Sequence, residues 1–510
     1  MDIHLVKITK LARAIAKVSF LTLISRVLGY IRDVFMASQL GTGVLNDVFI
    51  AAFKFTNLFR TIFGEGAFNT TFVPQFSGLL AHKGPKYAFF FASRMQAVLI
   101  IILTTFSGIM MLYMPVIITI TTPGFTSSHY AYSTAIDLSR IIFPYLFFIS
   151  LSTFYGGIMS SLGIFSPFAI TSIILNIVMI IAAMFSKYAL TPAHAFSYGA
   201  LVAGMLELMW MLFFAGRYKL LLPVIQPKLT TQVKKALKNI FPSLIGSGVM
   251  QINVWVDMLI ASFIPSGMSY LYFADRIMQL PLALTGTVIG MVLLPTLSRS
   301  IKLKHKARTD ELTLFSANLV LFLTIPATFG LMALAEEIVQ VLFMRGHFEQ
   351  LSVDNTAQAL KAFAVGLPAF SLSKVLITIL YAYNDTKTPT RVAFYTLFSN
   401  IFFSILLLEI LQHSGIALAS SISGWINVVC LIIIISKRYK VHVCFYKNML
   451  KFLIASILMF VTLMHLKSVY PIAGWEHLLI AIIVGMIVYS CALLCMRVNI
   501  PKILFSHLQT

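Results

Sequence analysis

By its pattern of apolar and polar positions, the chain is a string of long apolar runs cut by short polar ones. Hydrocarbon about 30 Å thick is crossed by roughly 20 helical residues. Fourteen runs reach or approach that length: 14–38, 42–64, 88–113, 131–160, 163–185, 193–216, 239–261, 266–298, 312–341, 355–383, 388–410, 415–436, 448–466 and 475–496. Several exceed a minimal span, which predicts tilt or kinks, with Pro242, Pro326 and Pro368 as bends. The pattern predicts an all-α polytopic membrane protein of about fourteen transmembrane helices.

The polar stretches are basic on alternate sides. Of 38 Lys and Arg, 27 fall in the N-terminal tail, in every second loop and in the C-terminal tail, with dense runs over 217–238 and 299–308. The opposite loops hold only Lys187, Arg345 and Lys467. Short cytoplasmic loops are the Lys/Arg-rich ones, so both termini are expected in the cytoplasm. Residues 1–17 are basic and amphipathic and read as a surface anchor. They do not read as a cleaved signal, because the apolar run after them is long and contains Arg26 and Arg32.

Composition narrows the class further. The 510 residues are 59% hydrophobic and 11% charged with a net charge of +21, and mean hydropathy is +0.91. Soluble domains carry about 25% charged residues, and a nucleic-acid binder shows its basic surface on a polar face; neither description fits. Cys430, Cys444, Cys491 and Cys495 lack metal-ligand spacing, so neither a metal site nor a disulfide is expected. No Walker loop is present, and the histidines form no constellation with carboxylates. Neither ATP-driven transport nor an enzyme with catalytic residues is expected.

The chain also repeats itself. Asp33-Val34-Phe35-Met36-Ala37-Ser38 with Gly43 is echoed by Asp257-Met258-Leu259-Ile260-Ala261-Ser262 with Gly267. Val73-Pro74 and Ser77 are echoed by Leu294-Pro295 and Ser298. Pro144, Pro167 and Asn176 parallel Pro368, Pro389 and Asn400. Each pair is six spans apart, so orientation is kept, as in transporters built from parallel halves. The expected organisation is a basic segment 1–13, a six-helix half 14–216, a basic linker 217–238, a second half 239–436, and two added helices with a tail over 437–510.

Eight cations remain inside the spans: Arg26, Arg32, Lys54, Arg60, Arg140, Arg276, Lys361 and Lys374. Each costs about 2.5–3.5 kcal/mol at the bilayer centre on insertion scales, so each must pair, snorkel or line a wet cavity. Spacing suggests Arg26 with Asp33, Lys54 with Asp47, and Arg140 with Asp137. Asp275 and Arg276 are adjacent and point apart, while Arg60 and Lys361 lie where they can snorkel. Any one of these residues is as well explained by a structural ion pair. Arg26, Arg32, Lys54, Arg60 and Arg276, however, come from spans 1, 2 and 8, which the repeat places between the halves. Arginine's fork suits phosphate oxygens, so a cationic chamber for a phosphate-bearing anion is the reading. Asp257, in span 7, either binds Na⁺ or a proton with Asn400 or Asn427, or pairs with Lys361 or Lys374. Gly29 and Gly43 are expected where helices bend or approach closely.

The run Ser25-Arg26-Val27-Leu28-Gly29-Tyr30-Ile31-Arg32-Asp33 opens a series of further motifs. It is followed by Asn46-Asp47-Val48-Phe49, Phe53-Lys54-Phe55-Thr56-Asn57-Leu58-Phe59-Arg60 and Glu65-Gly66-Ala67-Phe68. With Thr122-Pro123-Gly124-Phe125, Tyr272-Phe273-Ala274-Asp275-Arg276, Leu280-Pro281 and Asp385-Thr386-Lys387-Thr388-Pro389, the chain resembles the MurJ/MviN lipid II flippase family along its whole length. The resemblance implies a fourteen-helix member of the multidrug/oligosaccharidyl-lipid/polysaccharide exporter superfamily. It also implies cavity arginines at Arg26, Arg32, Arg60 and Arg276, characteristic acids at Asp47 and Glu65, and a groove for the polyprenyl tail at spans 13 and 14. One departure is Thr61, where some relatives carry a second arginine.

The resulting expectation is a multi-pass inner-membrane flippase that binds the lipid II diphosphate with Arg26, Arg32, Lys54, Arg60 and Arg276. Asp33, Asp47, Glu65 and Asp275 would support those cations. No cofactor is expected, and coupling to the membrane potential or to Na⁺ or H⁺ would run through Asp257, Asn400 and Asn427. Its partners would be lipid II, membrane lipids and the cell-wall synthesis machinery, with the protein itself a monomer. The alternative is an exporter of another lipid-linked oligosaccharide or of organic cations, the latter disfavoured by the basic character of spans 1, 2 and 8.

Overall fold

The structure, a computed structural model, describes residues 2–62, 69–288, 293–303, 305–441, 446–470 and 474–498. Its regular elements among those residues are all helices, joined by short turns and by an extended stretch over 220–230, and it divides into two compact units, Met1–Ser266 and Gly267–Thr510. In the first unit the helices are α1 (Asp2–Leu40), α2 (Val44–Arg60), α3 (Asn69–Lys83), α4 (Pro85–Leu112) and α5 (Met114–Thr121). They continue with α6 (His129–Ile142), α7 (Tyr145–Ser161), α8 (Ser166–Met184), α9 (Pro192–Arg217) and α10 (Thr231–Ala261). The second unit holds α11 (Gly267–Val288), α12 (Leu294–Lys302), α13 (Lys306–Ala333) and α14 (Ala335–Phe343). It closes with α15 (Gln350–Ala382), α16 (Lys387–Ile434), α17 (Tyr446–Val469) and α18 (Trp475–Cys495).

Nine helical stretches among the described residues are long and apolar enough to cross a membrane, counting α6 with α7 as one and α16 as one. α1, α2 and α11, which carry Arg26, Arg32, Lys54, Arg60 and Arg276, are not among them. The basic N-terminal segment and the first span are one continuous helix, α1.

Helix breaks follow local chemistry. Pro326 and Pro368 lie inside α13 and α15, which continue through them. α16 breaks at Gln412 (φ 49°, ψ −128°), between the spans expected at 388–410 and 415–436. The repeated motifs occupy matching places. Ala37 and Ala261 are in the last turns of α1 and α10, Gly43 caps α2, and Gly267 opens α11.

In the first unit, α3 was not expected as a separate helix. It packs through Phe72 and Phe76, both fully buried, into a core with Phe91 of α4 and Phe154 of α7, and the Phe72 and Phe154 ring centroids lie 4.8 Å apart. In the second unit, α17 and α18 are sealed to α13 by Phe322. Its ring meets Phe452 at 5.8 Å and Tyr489 at 5.7 Å, and the Tyr489 hydroxyl donates to the Phe322 carbonyl at 3.0 Å.

Charged groups staple the same unit at two further places. Lys361 Nζ meets Glu336 Oε1 at 2.8 Å, while Lys467 reaches Glu336 Oε2 at 3.2 Å and Glu337 Oε1 at 2.6 Å. Lys361 is therefore engaged by a carboxylate of α14, that of Glu336, and does not simply snorkel. Elsewhere, Asp385 accepts from the Thr388 backbone N–H and hydroxyl, from Arg438 and from the Tyr439 hydroxyl. Burial pushes the Asp385 carboxyl up, but these donors outweigh it and hold it at about 2.

One close approach fixes the outer loop of the first unit. The Gly124 N–H donates to Ser262 Oγ at 3.0 Å, and a Cβ on Gly124 would stand 2.1 Å from the Ser262 carbonyl oxygen. The obstructing atoms are backbone and cannot swing away. Gly124→Ala should therefore destabilise the protein by about 1–3 kcal/mol through overpacking, more than the roughly 1 kcal/mol expected from Ser262→Ala. Thermal unfolding of the detergent-purified protein checks this, and a Gly124→Ala midpoint equal to wild type would contradict the close seating.

Candidate functional site

α1 and α8 pack side by side and run in the same direction. Asn176 of α8 donates to the Ser25 carbonyl at 2.9 Å, and further along the same direction Ser186, just past the end of α8, donates to Gln39 of α1 at 3.0 Å. Between these points lies Arg32, only 6% exposed. Its Nε and Nη2 donate to Asp33 Oδ1 at 3.1 and 2.7 Å, and its Nη1 donates to Asn176 Oδ1 at 3.1 Å. The guanidinium fork thus joins an acid on its own helix to an amide on the next.

This corrects the pairing suggested by spacing. Arg26 is exposed, and Asp33 is engaged by its neighbour Arg32 instead. Seven residues of helix are about 10.5 Å of rise, too far for a short aspartate arm, whereas a long arginine folds back onto an adjacent carboxylate. Arg140 likewise donates to the Met111 carbonyl at 3.1 Å, with no ion pair to Asp137 among the described residues. Space does not demand glycine at the two positions expected to need it. A Cβ on Gly29 would make ordinary contact with Asn176 at 3.5 Å, and one on Gly43 would meet nothing within 4 Å.

α2 carries the next three charges. Asp47 is buried at 3% exposure, Lys54 and Arg60 are half-buried, and Arg60 Nε donates to Asn57 Oδ1 at 3.0 Å. The helix is seated by aromatic contacts, Phe49 on Phe196 of α9 at 5.5 Å and Phe55 on Phe143 at 5.9 Å. Glu65 lies outside the described residues. Asp257 is half-buried on α10.

In the second unit, Arg276 lies over the Tyr272 ring at 4.8 Å and donates to its hydroxyl at 3.1 Å. That cation–π contact holds the guanidinium by the aromatic one turn earlier. Asp275 accepts from Gln279 at 2.5 Å. Asn400 accepts from Ser420 at 3.4 Å, while Asn427 accepts from Ser373 at 3.0 Å and donates to Thr396 at 3.4 Å. Asn427 therefore ties α15 to α16, while Asn400 bonds across the two arms of α16 on either side of its break at Gln412.

A cavity of about 510 Å³ in the first unit is almost wholly apolar, lined among others by Phe55 and Phe59 of α2, Ile117 and Ile120 of α5, and Ile252 and Trp255 of α10. It does not have the lining of a cationic chamber. Two residues escaped sequence reasoning. Asn176 entered only as a repeat position, and Glu207 of α9, 1% exposed, was not singled out. The signal for Glu207 was available, since it is the only acid between Asp137 and Asp257.

The comparisons bear on all of this. The family model described as lipid II flippase MurJ matches residues 36–489. The chain belongs to the MurJ family. A probable lipid II flippase MurJ of Rickettsia prowazekii is 36% identical over 447 residues, 88% of this chain and 87% of that protein. One from Rhizobium tropici is 38% identical over 422 residues, 82% of this chain and 79% of its own length. A solved lipid II flippase MurJ in an inward closed conformation superposes with a TM-score of 0.79 at 26% identity, covering 97% of this chain and 99% of its own. An inward-facing MATE transporter of the MOP superfamily shares the fold, with a TM-score of 0.67 at 12% identity over 84% of this chain and 99% of its own. The protein is thus a multi-pass membrane protein of a MurJ fold.

Within this MurJ-family chain the Arg32–Asp33–Asn176 cluster should behave as a buried unit. Asp33→Asn leaves Arg32 without its carboxylate and should cost about 3–5 kcal/mol, against about 1–3 kcal/mol for Asn176→Ala. Thermal unfolding in detergent ranks the two, and a milder effect for Asp33→Asn would contradict the cluster.

Proposed function

We propose that this chain is a flippase that carries lipid II from the cytoplasmic to the periplasmic leaflet for cell-wall synthesis. The observation that carries the reading is the match to the lipid II flippase family over residues 36–489, joined to a fold match across 97% of the chain. The intramembrane cations support it from chemistry. A diphosphate cannot enter hydrocarbon without replacement of its hydration, and arginine supplies paired donors for its oxygens.

Arg60 and Arg276 are half-buried on α2 and α11, with Asn57 and Tyr272 among their partners. We assign them the diphosphate, with Lys54 and Arg26 assisting. Arg32 is turned onto Asp33 and Asn176, so its part in this conformation is to hold α1 against α8. Asp47, Glu65 and Asp275 balance the cations. Alternating access comes from rocking of two parallel halves, with both termini in the cytoplasm. The protein acts as a monomer that receives its substrate from, and passes it to, the enzymes of cell-wall synthesis.

Arg60→Ala and Arg276→Ala should each weaken lipid II binding to the purified, folded protein by about tenfold or more, because each removes a charge-assisted bond of roughly 1.5–3 kcal/mol. Unchanged binding in both variants would remove the diphosphate assignment. Depletion in the native bacterium should leave lipid II on the cytoplasmic side and lyse the cells.

We propose further that translocation draws on the membrane potential or on Na⁺ or H⁺ through Asp257. Asp257 is the one ionisable residue of the three, the other two being amides, so it is the residue to test. Flipping in proteoliposomes should slow on collapse of the potential and ion gradients, and Asp257→Asn should abolish that sensitivity. Equal rates in wild type with and without gradients would end the idea.

A further inference from the structure

Glu207 sits in the middle of α9 with 1% exposure, and its Oε2 is sealed from solvent without a hydrogen-bond partner among the described residues. An ionisable group in such a place is expensive and functional by default, and the first question is its partner. α2 and α9 run parallel, because each is the return helix of a pair whose first members, α1 and α8, are parallel. Their contact is registered by the Phe49–Phe196 rings at 5.5 Å. Arg60 lies eleven residues beyond Phe49, and Glu207 lies eleven beyond Phe196. Eleven residues are about three turns, so the acid and the arginine stand at one level and on the faces their helices turn to each other. Other charged residues on elements packed against α9 include Asp47 and Lys54 on α2, Asp137 and Arg140 on α6, Arg26 and the Arg32–Asp33 pair on α1, and Lys187 in the turn after α8, while α7 and α8 themselves bring no charge.

We infer that Glu207 is an internal counter-anion for Arg60, competing with the diphosphate of the substrate and displacing it when the substrate leaves. This deepens the proposed function and rests on the assignment of the diphosphate to Arg60. In the described state Arg60 Nε donates to Asn57. An arginine that bound diphosphate with nothing to replace it would hold its cargo. A buried carboxylate that takes over the guanidinium exchanges one anion for another and avoids leaving either group alone in a low-dielectric interior. Because the two anions share one cation, each weakens the other by the same factor.

The test uses the full chain in nanodiscs for lipid II binding and in proteoliposomes for flipping. Glu207→Gln, which keeps shape and removes charge, should bind lipid II at least about fivefold tighter, release it more slowly, and flip it more slowly. In an Arg60→Ala background the same substitution should leave binding unchanged, since the shared cation is gone. A purely structural role for Glu207 predicts weaker binding, and it predicts an effect that persists without Arg60. Glu207→Asp carries the same test should Glu207→Gln fail to fold, with a smaller tightening from the shorter arm. Unchanged or weaker binding in the folded single variant, or an effect that survives Arg60→Ala, overturns the counter-anion role. If Arg60→Ala alone leaves lipid II binding intact, it is the diphosphate assignment that has failed, and the two failures are distinguished.

Discussion

A charge placed inside hydrocarbon must find a partner within the protein, and the packing of both units follows from how this chain meets that demand. Arg32 is nearly sealed from solvent, so its donors have to be matched by Asp33 on its own helix and Asn176 on the next. That match fixes the register of α1 against α8, and through their connecting turns it sets the level at which α2 and α9 return. The level of Arg60 beside Glu207 is a consequence of the same register.

The second unit meets the demand differently. Its charges lie toward helix ends, where Glu336 and Glu337 gather Lys361 and Lys467 and tie α14, α15 and α17 together. Hydrogen bonding to Lys361 draws the Glu336 carboxyl below the usual glutamate range, as expected of an acid that faces two ammonium groups. Within the membrane portion of that unit, amides and hydroxyls take over, with Asn427 bonded to Ser373 and Thr396. Neutral staples hold helices without a stranded charge, so α15 and α16 can pack tightly. Arg276 lies over the Tyr272 ring and donates to its hydroxyl.

The Arg60–Glu207 relation gives the transport reading a physical requirement that binding alone lacks. Tight recognition of a diphosphate and its release are opposed demands on the same guanidinium. A second anion built into the protein reconciles them, at the expense of carrying an acid through the bilayer. The lone acid of an otherwise apolar helix has no other evident use.

Much was legible in the sequence because it depends on one dimension only. Span length, the basic alternation of loops, the repeat and the family motifs are all read along the chain, and they led to an all-helical membrane transporter with cations where a phosphate-bearing lipid would need them. What sequence spacing could not decide was which charges meet. A seven-residue interval puts Arg26 and Asp33 on one face, yet the rise between them exceeds the aspartate's reach, and the contact went to Arg32 once α8 supplied Asn176. Lys361 was equally undecided until α14 brought Glu336 beside it. The α3 helix, the Gly124–Ser262 clasp and the level of Glu207 likewise depend on residues far apart in the chain. The sequence by itself determined the solvent this protein folds in and the anion class it handles, because hydropathy and charge are properties of residues. The tertiary structure alone decided the partners, because pairing is a property of distances.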